Sequence, residues 1–186
     1  MCDLPVFKYN PDPVRLGVIK KERTHCPVCQ QERAYVYTGP FYTTAQVRGI
    51  CPWCIKDGSA AQRFQGTLQD YLAIEGISPD PSTPHTINYA SDVIDELLER
   101  TPGYRGWQQE VWLSHCNEPC AIIDYVGWKE IAHLQEELMP DLSDIQSRWN
   151  ISQTELQGLL TKPGDIQGYL FRCVKCNKHR LTIDAN

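Results

Sequence analysis

A chain of 186 residues with 41% apolar side chains and a formal net charge of −5 is long enough for one core of ordinary size, and its apolar share is lean. No run of about 18 apolar residues occurs, which excludes a membrane-spanning helix. The first residues lack the basic and apolar regions of a secretory signal, so a cytoplasmic address is expected, where paired thiols hold metal more often than they form disulfides.

The segment Leu4 to Val18 is predicted to be extended, because Pro5, Pro11 and Pro13 forbid helix while Phe7, Tyr9 and Leu16 can cover a core edge. Next comes a unit with two knuckles, Cys26-Pro27-Val28-Cys29 and Cys51-Pro52-Trp53-Cys54. Between them, the run Ala34 to Tyr37 ends at Thr38-Gly39-Pro40, and Phe41 to Ile50 leads into the second knuckle. This layout predicts a zinc ribbon, two knuckles joined by a hairpin, although its Cys-x₂-Cys-x₂₁-Cys-x₂-Cys spacing is one residue outside the usual range. A short helix is expected after Ser59 as its cap, then a loop from Gly76 to His85 holding Pro79, Pro81 and Pro84.

Ser91 is expected to cap an amphipathic helix with Val93, Ile94, Leu97 and Leu98 on one side and Asp92, Asp95, Glu96 and Glu99 on the other. Thr101-Pro102-Gly103 ends it. Val111 to His115 reads as a strand into a Cys116/Cys120 turn, and Ala121 to Val126 as the strand leaving it. Trp128, Ile131, Ala132, Gln135 and Leu138 recur at helical spacing until Pro140, with a second helix over 141–149. Ser152-Gln153-Thr154-Glu155 is a capping box for a helix stopped by Lys162-Pro163-Gly164. Tyr169 to Arg172 leads to the last knuckle, Cys173-Val174-Lys175-Cys176, and His179 to Asp184 forms the final strand.

The expected fold class is therefore α+β: two zinc-ribbon-like knuckle sites with short antiparallel strands and an inserted acidic helical region. One domain over 1–186 is expected, made of a first zinc unit at 19–63, an acidic helical segment at 64–110, and a second discontinuous zinc unit at 111–186 with a helical insertion at 127–163.

Eight of the nine cysteines fall into close pairs. A Cys-x-x-Cys turn aims two sulfurs at one point, and two pairs complete the tetrahedral S₄ shell that Zn²⁺ prefers. Loop-closure entropy favours pairing near neighbours, which groups Cys26, Cys29, Cys51 and Cys54 in one site and Cys116, Cys120, Cys173 and Cys176 in the other, with a cross-braced pairing as the alternative. Two structural zinc ions follow, neither with an open position. A redox role for Cys51 and Cys54 is disfavoured by the matching upstream knuckle and the missing βαβ pattern. His25, His115 and His179 stand next to the knuckles and read as supporting or surface residues, since a neighbour of a ligand tends to point away from the metal. Cys2 reads as an inert thiol. His133-Leu134-Gln135-Glu136-Glu137 lacks the second histidine of the inverted zinc-protease motif, and no catalytic triad or phosphate loop appears, so no enzyme is expected.

Charge is uneven. Residues 1–63 hold nine basic and five acidic side chains, residues 64–171 five and seventeen, and residues 172–186 four and one. An acidic middle repels nucleic acid and suits a basic protein partner. Its candidate docking residues are Asp92, Asp95, Glu96 and Glu99, with Glu136, Glu137, Asp141 and Asp144 around Pro140. Trp107, Trp112, Trp128 or Trp149 could lock such a contact or belong to the core.

The runs Leu4-Pro5-Val6-Phe7-Lys8-Tyr9-Asn10-Pro11-Asp12-Pro13, Tyr37-Thr38-Gly39-Pro40 and Cys51-Pro52-Trp53-Cys54-Ile55 resemble the CbrC family, as do Arg100-Thr101-Pro102-Gly103-Tyr104, Gly106-Trp107-Gln108-Gln109-Glu110 and Trp112-Leu113-Ser114-His115-Cys116. That resemblance implies a bacterial cytoplasmic protein linked to tolerance of a DNase-type colicin. The expected function is accordingly an immunity protein or antitoxin that blocks a cationic nuclease toxin. A nucleic-acid-binding ribbon using the basic ends is the first alternative, and a metal-dependent hydrolase the second.

Overall fold

The computed structural model describes residues 3–80, 82–162 and 164–186; Cys2, Pro81 and Pro163, each assigned a role above, lie outside them. The chain is a mixed α/β structure whose strands are mostly short and all antiparallel. From the N-terminus, β1 (Ile19–Lys20), β2 (Thr24–His25), β3 (Glu32–Arg33) and β4 (Val36–Tyr37) surround the first knuckle. Helices α1 (Pro52–Lys56), α2 (Ser59–Phe64) and α3 (Ser91–Arg100) follow. Then come β5 (Ser114–His115), β6 (Glu118–Pro119), β7 (Ala121–Val126), α4 (Trp128–Ile131), α5 (Met139–Trp149), α6 (Gln153–Leu159), β8 (Ile166–Arg172) and β9 (His179–Ala185).

The three-stranded sheet β7-β8-β9 divides two apolar clusters. Along β8 the side chains alternate, so Tyr169 and Phe171 enter the larger cluster with Phe7, Tyr9, Ile55, Tyr104 and Trp112, whereas Leu170 enters the smaller one with Leu181, Ile183, Leu142, Ile145 and Leu156. A bulge in β7 switches its faces: Ile122 pairs with Phe171, but Asp124, two residues on, pairs with the next residue, Leu170. Ile122 therefore belongs to the larger cluster and Val126 to the smaller.

Several expectations change in three dimensions. The hairpin between the first two knuckles does not form among the described residues; β4 pairs with β1, and the backbone of Phe41 to Ile50 contributes a bridge from Tyr42 to Thr67 and the Ile50 carbonyl that accepts from Tyr37 N–H. Phe7 and Tyr9 are core rather than edge, at 1% and 0% exposure. Ser59 and Ser91 are the first helical residues, after Gly58 and Ala90. The helix expected to end at Pro140 breaks instead into α4 and a 3₁₀ turn (Ala132–Leu134), and Pro140 lies in the first turn of α5, where a missing N–H costs nothing. The strand predicted from Val111 shortens to β5, with Trp112 making an isolated bridge to Ile74. The Ser152/Glu155 capping box forms, and β7 has its expected bounds.

Three of the conspicuous sequence runs meet at one point. Asn10 donates through Nδ2 to the carbonyls of Pro102 and Gly103 at 3.0 and 3.3 Å, Gly103 N–H donates to the Tyr37 hydroxyl at 3.0 Å, and that hydroxyl donates to the Pro40 carbonyl at 2.7 Å. Thr101, Pro102, Gly103 and Tyr104 are all buried there. A Cβ on Gly103 would stand 2.8 Å from the Leu68 carbonyl, so the close approach requires glycine.

Candidate metal centres

Both Cys-x-x-Cys turns that sit between strands are built alike. In the first, Cys26 N–H donates to the Gln31 carbonyl, Gln30 N–H returns to the Cys26 carbonyl, and Gln30 is left-handed at φ 57°. In the second, Cys173 N–H donates to Lys178, Asn177 N–H returns to Cys173, and Asn177 is left-handed at φ 63°. This turn points both sulfurs the same way. The partner pair of the first knuckle is different: Cys51 is the N-cap of α1 and Cys54 lies in its first turn.

Cys26, Cys29, Cys51 and Cys54 converge, their sulfurs all within 4.8 Å of one another. The separations are 3.9 Å for Cys26–Cys54, 4.0 Å for Cys29–Cys51 and 3.5 Å for Cys51–Cys54. Metal–sulfur bonds of about 2.3 Å in a regular tetrahedron give edges of about 3.8 Å, so the group fits one metal ion. Disulfide sulfurs would stand about 2.0 Å apart. Three of the four cysteines are buried. Arg33 stacks on the Trp53 ring at 5.2 Å and stands beside Cys29. Burial opposes ionisation of Cys29, but the guanidinium and the Gln31 backbone outweigh it and bring the thiol down to about 7. Burial pushes Cys51 up to about 11.

The second group corrects the expected ligand set. The convergent donors are His115, Cys116, Cys173 and Cys176, and Cys120 is not among them. Cys116 and Cys176 sulfurs are 3.7 Å apart, and His115 Nδ1 is 3.2 Å from each. The cause is the tight hairpin β5–β6: Ser114 pairs with Pro119 and His115 with Glu118, leaving Cys116 and Asn117 as a two-residue tip with φ of 56° and 54°. Cys116 thus stands at the tip and His115 beside it, while the return strand carries Cys120 away. Cys120 is fully buried, its carbonyl accepts from Trp112 Nε1 at 2.9 Å, and burial pushes its thiol up to about 12. His115, read above as a supporting residue, supplies the fourth convergent donor. His25 is instead engaged locally, its ring Nε2 donating to Gln30 Oε1 at 3.4 Å.

Beside this group, Glu118 is 8% exposed in its side chain and gathers Lys8 Nζ at 2.5 Å, the Tyr9 hydroxyl at 2.7 Å and Lys175 Nζ at 3.1 Å. Burial would raise its pKa, but these three donors prevail and hold it at about 2. His179, two residues past the knuckle's turn, bonds Glu137 through both its N–H and its ring.

The acidic residues divide. On α3, Asp92, Asp95 and Glu99 are exposed and have no ion-pair partner among the described residues, whereas Glu96 lies 3.8 Å from Lys56. Around Pro140 most of the charge is already answered: Glu137 by His179, Asp144 by Arg148 at 2.8 Å, and Asp141 by Arg180 Nε at 2.9 and 3.0 Å and by Leu181 N–H. Arg180 also binds Glu75, so Asp141 is a brace between α5 and β9. Glu136 remains exposed. The two sets sit on different packing units, α3 against α1, α2 and β6 and α5 against β9. Of the tryptophans, Trp112 is buried in the larger cluster, Trp128 and Trp149 pack on the smaller, and Trp107 is half-exposed.

No described helix is long and apolar enough to cross a membrane. A UPF0167 protein of Mycobacterium bovis is 40% identical over 186 residues, covering 97% of this chain and 93% of that protein, and one of Mycobacterium tuberculosis matches to the same extent. A UPF0167 protein of Pseudomonas aeruginosa is 36% identical over 186 residues, covering 97% of each. No solved structure matches the chain. With residues 4–185 spanned by the match to "Uncharacterised protein family (UPF0167)", this chain belongs to that family.

Proposed function

We propose that the chain is a non-enzymatic, zinc-stabilised binding protein that docks a cationic protein through the acidic face of α3. The observation that carries this reading is the set Asp92, Asp95 and Glu99, three exposed carboxylates without cation partners among the described residues, on a helix whose other side, Leu97 with Val93, Ile94 and Leu98, is anchored in the larger core. Such a rigid, uncompensated face steers a positive partner and accelerates its association. The donor sets, S₄ and S₃N, are those of structural zinc, and each fills all four positions with protein atoms, leaving none for substrate. The resemblance to the CbrC family supports a DNase-type toxin as partner, whose DNA-binding cleft is basic, and hence an immunity role in the bacterial cytoplasm.

The test is inhibition of colicin-type DNase domains, with the affinity measured by calorimetry at rising salt. The wild-type chain should bind and inhibit a cognate domain, and the triple variant D92K/D95K/E99K should lose about 100-fold or more in affinity while keeping both metals. Unchanged inhibition by that variant would refute the α3 surface. Nanomolar binding to duplex DNA with a steep salt slope would instead favour the basic stretches 1–63 and 172–186 as the working surface.

A further inference from the structure

We propose that the cavity between the β1 region, the Arg105–Trp107 loop and the sheet binds a nucleotide, a nucleobase carrying phosphate. The cavity is about 500 Å³, within the range of small-molecule sites, and is lined by Leu16, Lys20, Arg105, Trp107, Tyr125, Gln167 and Tyr169 among others. It lies apart from both metal groups and from α3, so it stands or falls independently of the docking surface proposed above.

Its walls carry three complementary features. The first is an aromatic surface. Trp107 is 50% exposed at the cavity, beside the partly buried Tyr125, which the buried Tyr169 backs edge to face with centroids 5.7 Å apart. The exposure is not a sign of a loose loop. Trp107 and Gln108 N–H groups both donate to Asp184 Oδ2, at 2.8 and 3.1 Å, the Tyr169 hydroxyl donates to Asp184 Oδ1, and Arg105 N–H donates to the Tyr125 hydroxyl at 3.0 Å. A Cβ on Gly106 would stand 2.9 Å from the same carboxylate, so this turn is drawn tightly onto β9. A large apolar ring held half in water by a fixed backbone is a stacking platform, which every base can use.

The second feature is cationic. Lys20 and Arg105 are exposed at the cavity and neither has a carboxylate partner among the described residues; Arg105 makes one bond to the Thr38 carbonyl, leaving further guanidinium donors. Among the described residues no carboxylate lines the cavity, Asp184 being engaged by Trp107, Gln108 and Tyr169, although the chain as a whole is acidic. The third is Gln167, whose partly buried side-chain amide has no hydrogen-bond partner among the described residues and can both donate to and accept from a base edge. A π-face, an unengaged amide and two cations together match base and phosphate better than they match a fatty acid, a sugar or a simple anion.

Calorimetry on the metal-loaded protein at low salt, with the four nucleoside monophosphates, tests this directly, inorganic phosphate and adenosine serving as part-ligands. At least one nucleotide should bind one to one, more tightly than either part. Trp107→Ala should weaken it about tenfold or more, the effect of one lost stacked base. Lys20→Gln, which touches no structural contact, should lower nucleotide affinity toward that of adenosine and leave adenosine itself unchanged. A four-residue oligonucleotide forms the second arm: binding that both variants abolish assigns the same chemistry to a strand. No heat with any nucleotide or oligonucleotide up to millimolar concentration, or binding indifferent to both variants, would overturn the proposal.

Discussion

Exchanging the roles of His115 and Cys120 is the sharpest test of the second metal group. Both residues flank the β5–β6 hairpin, and spacing alone favours Cys120, whereas the geometry places His115 Nδ1 at 3.2 Å from two sulfurs. Cys120→Ala removes one buried sulfur that holds no metal, and its cost is that of a small core truncation, about 1 kcal/mol. His115→Ala removes one donor of four. Losing even an outer-shell partner costs about 10–100-fold in metal affinity, so loss of a ligand should exceed about 100-fold, or about 2.7 kcal/mol. Native mass spectrometry during titration with a zinc chelator separates the cases. The Cys120 variant should hold two ions as wild type does, and the His115 variant should release one ion early and keep the other. X-ray absorption of the wild type should find seven sulfurs and one nitrogen over two zinc ions, not eight sulfurs. A Cys120 variant that loses an ion while the His115 variant keeps both would refute the assignment.

Replacing Cys51 and Cys54 together by Ser should unfold the chain rather than spare it, because three sulfurs of that group are buried in the larger core; circular dichroism reads the collapse. Glu118 has its native pKa held at about 2, below the ordinary 4.5, so the stability it supplies is full above about 4.5 and is lost as pH falls toward 2. The shift corresponds to about 3 kcal/mol, reduced to about 1–2 kcal/mol because Lys8 and Lys175 are half-exposed, and Glu118→Gln should flatten acid unfolding over that window by this amount. Asn10→Ala strands two buried carbonyls, and should lower stability by about 2 kcal/mol in urea unfolding. Mild peroxide should join Cys116 to Cys176, which are exposed and 3.7 Å apart, expelling the second ion before the buried group reacts; peptide mapping of the bridged pair reads this order.

What could be read from the sequence was what depends on neighbours in the chain. The Cys-x-x-Cys turns, the Ser152 box and the bounds of β7 are all set within about six residues, and each appears where it was expected. What depended on distant pairing could not be read. The run from Phe41 to Ile50 has the composition of a strand, but β4 finds its partner in Ile19–Lys20 instead. Pro140 stops one helix pattern or starts another with equal local logic, and only the packing of α5 on β9 decides. His115 differs from His25 only in that a two-residue turn folds it back onto a knuckle 58 residues away, a signal that no spacing rule contains. Glu118 and Asn10 could not be paired from the sequence, since Lys8, Tyr9, Pro102 and Gly103 lie 92 to 110 residues from them and Lys175 is also far off in the chain. The acidic excess was legible as composition, yet its division into a free α3 face and an internally neutralised α5 face follows from where Arg148, His179 and Arg180 fall.

The two metal groups differ in what they would hold together. The first lies inside the larger core, where its four sulfurs tie the opening knuckle to α1 and, through the packing of α1 on α2 and α3, to the helix that bears the free carboxylates. The second lies at the end of the main sheet, with one buried and two exposed cysteines, and joins the β5–β6 tip to the turn between β8 and β9. Its tip residue Cys116 is left-handed, a conformation that costs a residue with a side chain about 1–2 kcal/mol and that coordination would repay. Glu118, on the same hairpin, reaches both Lys175 in that turn and the Lys8–Tyr9 segment of the larger core. The second group is therefore not a peripheral ornament: with Glu118 it would connect the N-terminal segment, the hairpin and the last two strands, and it would do so through two exposed cysteines. A fold with so lean an apolar share needs both links, one sealed within the core and one exposed at the edge of the sheet.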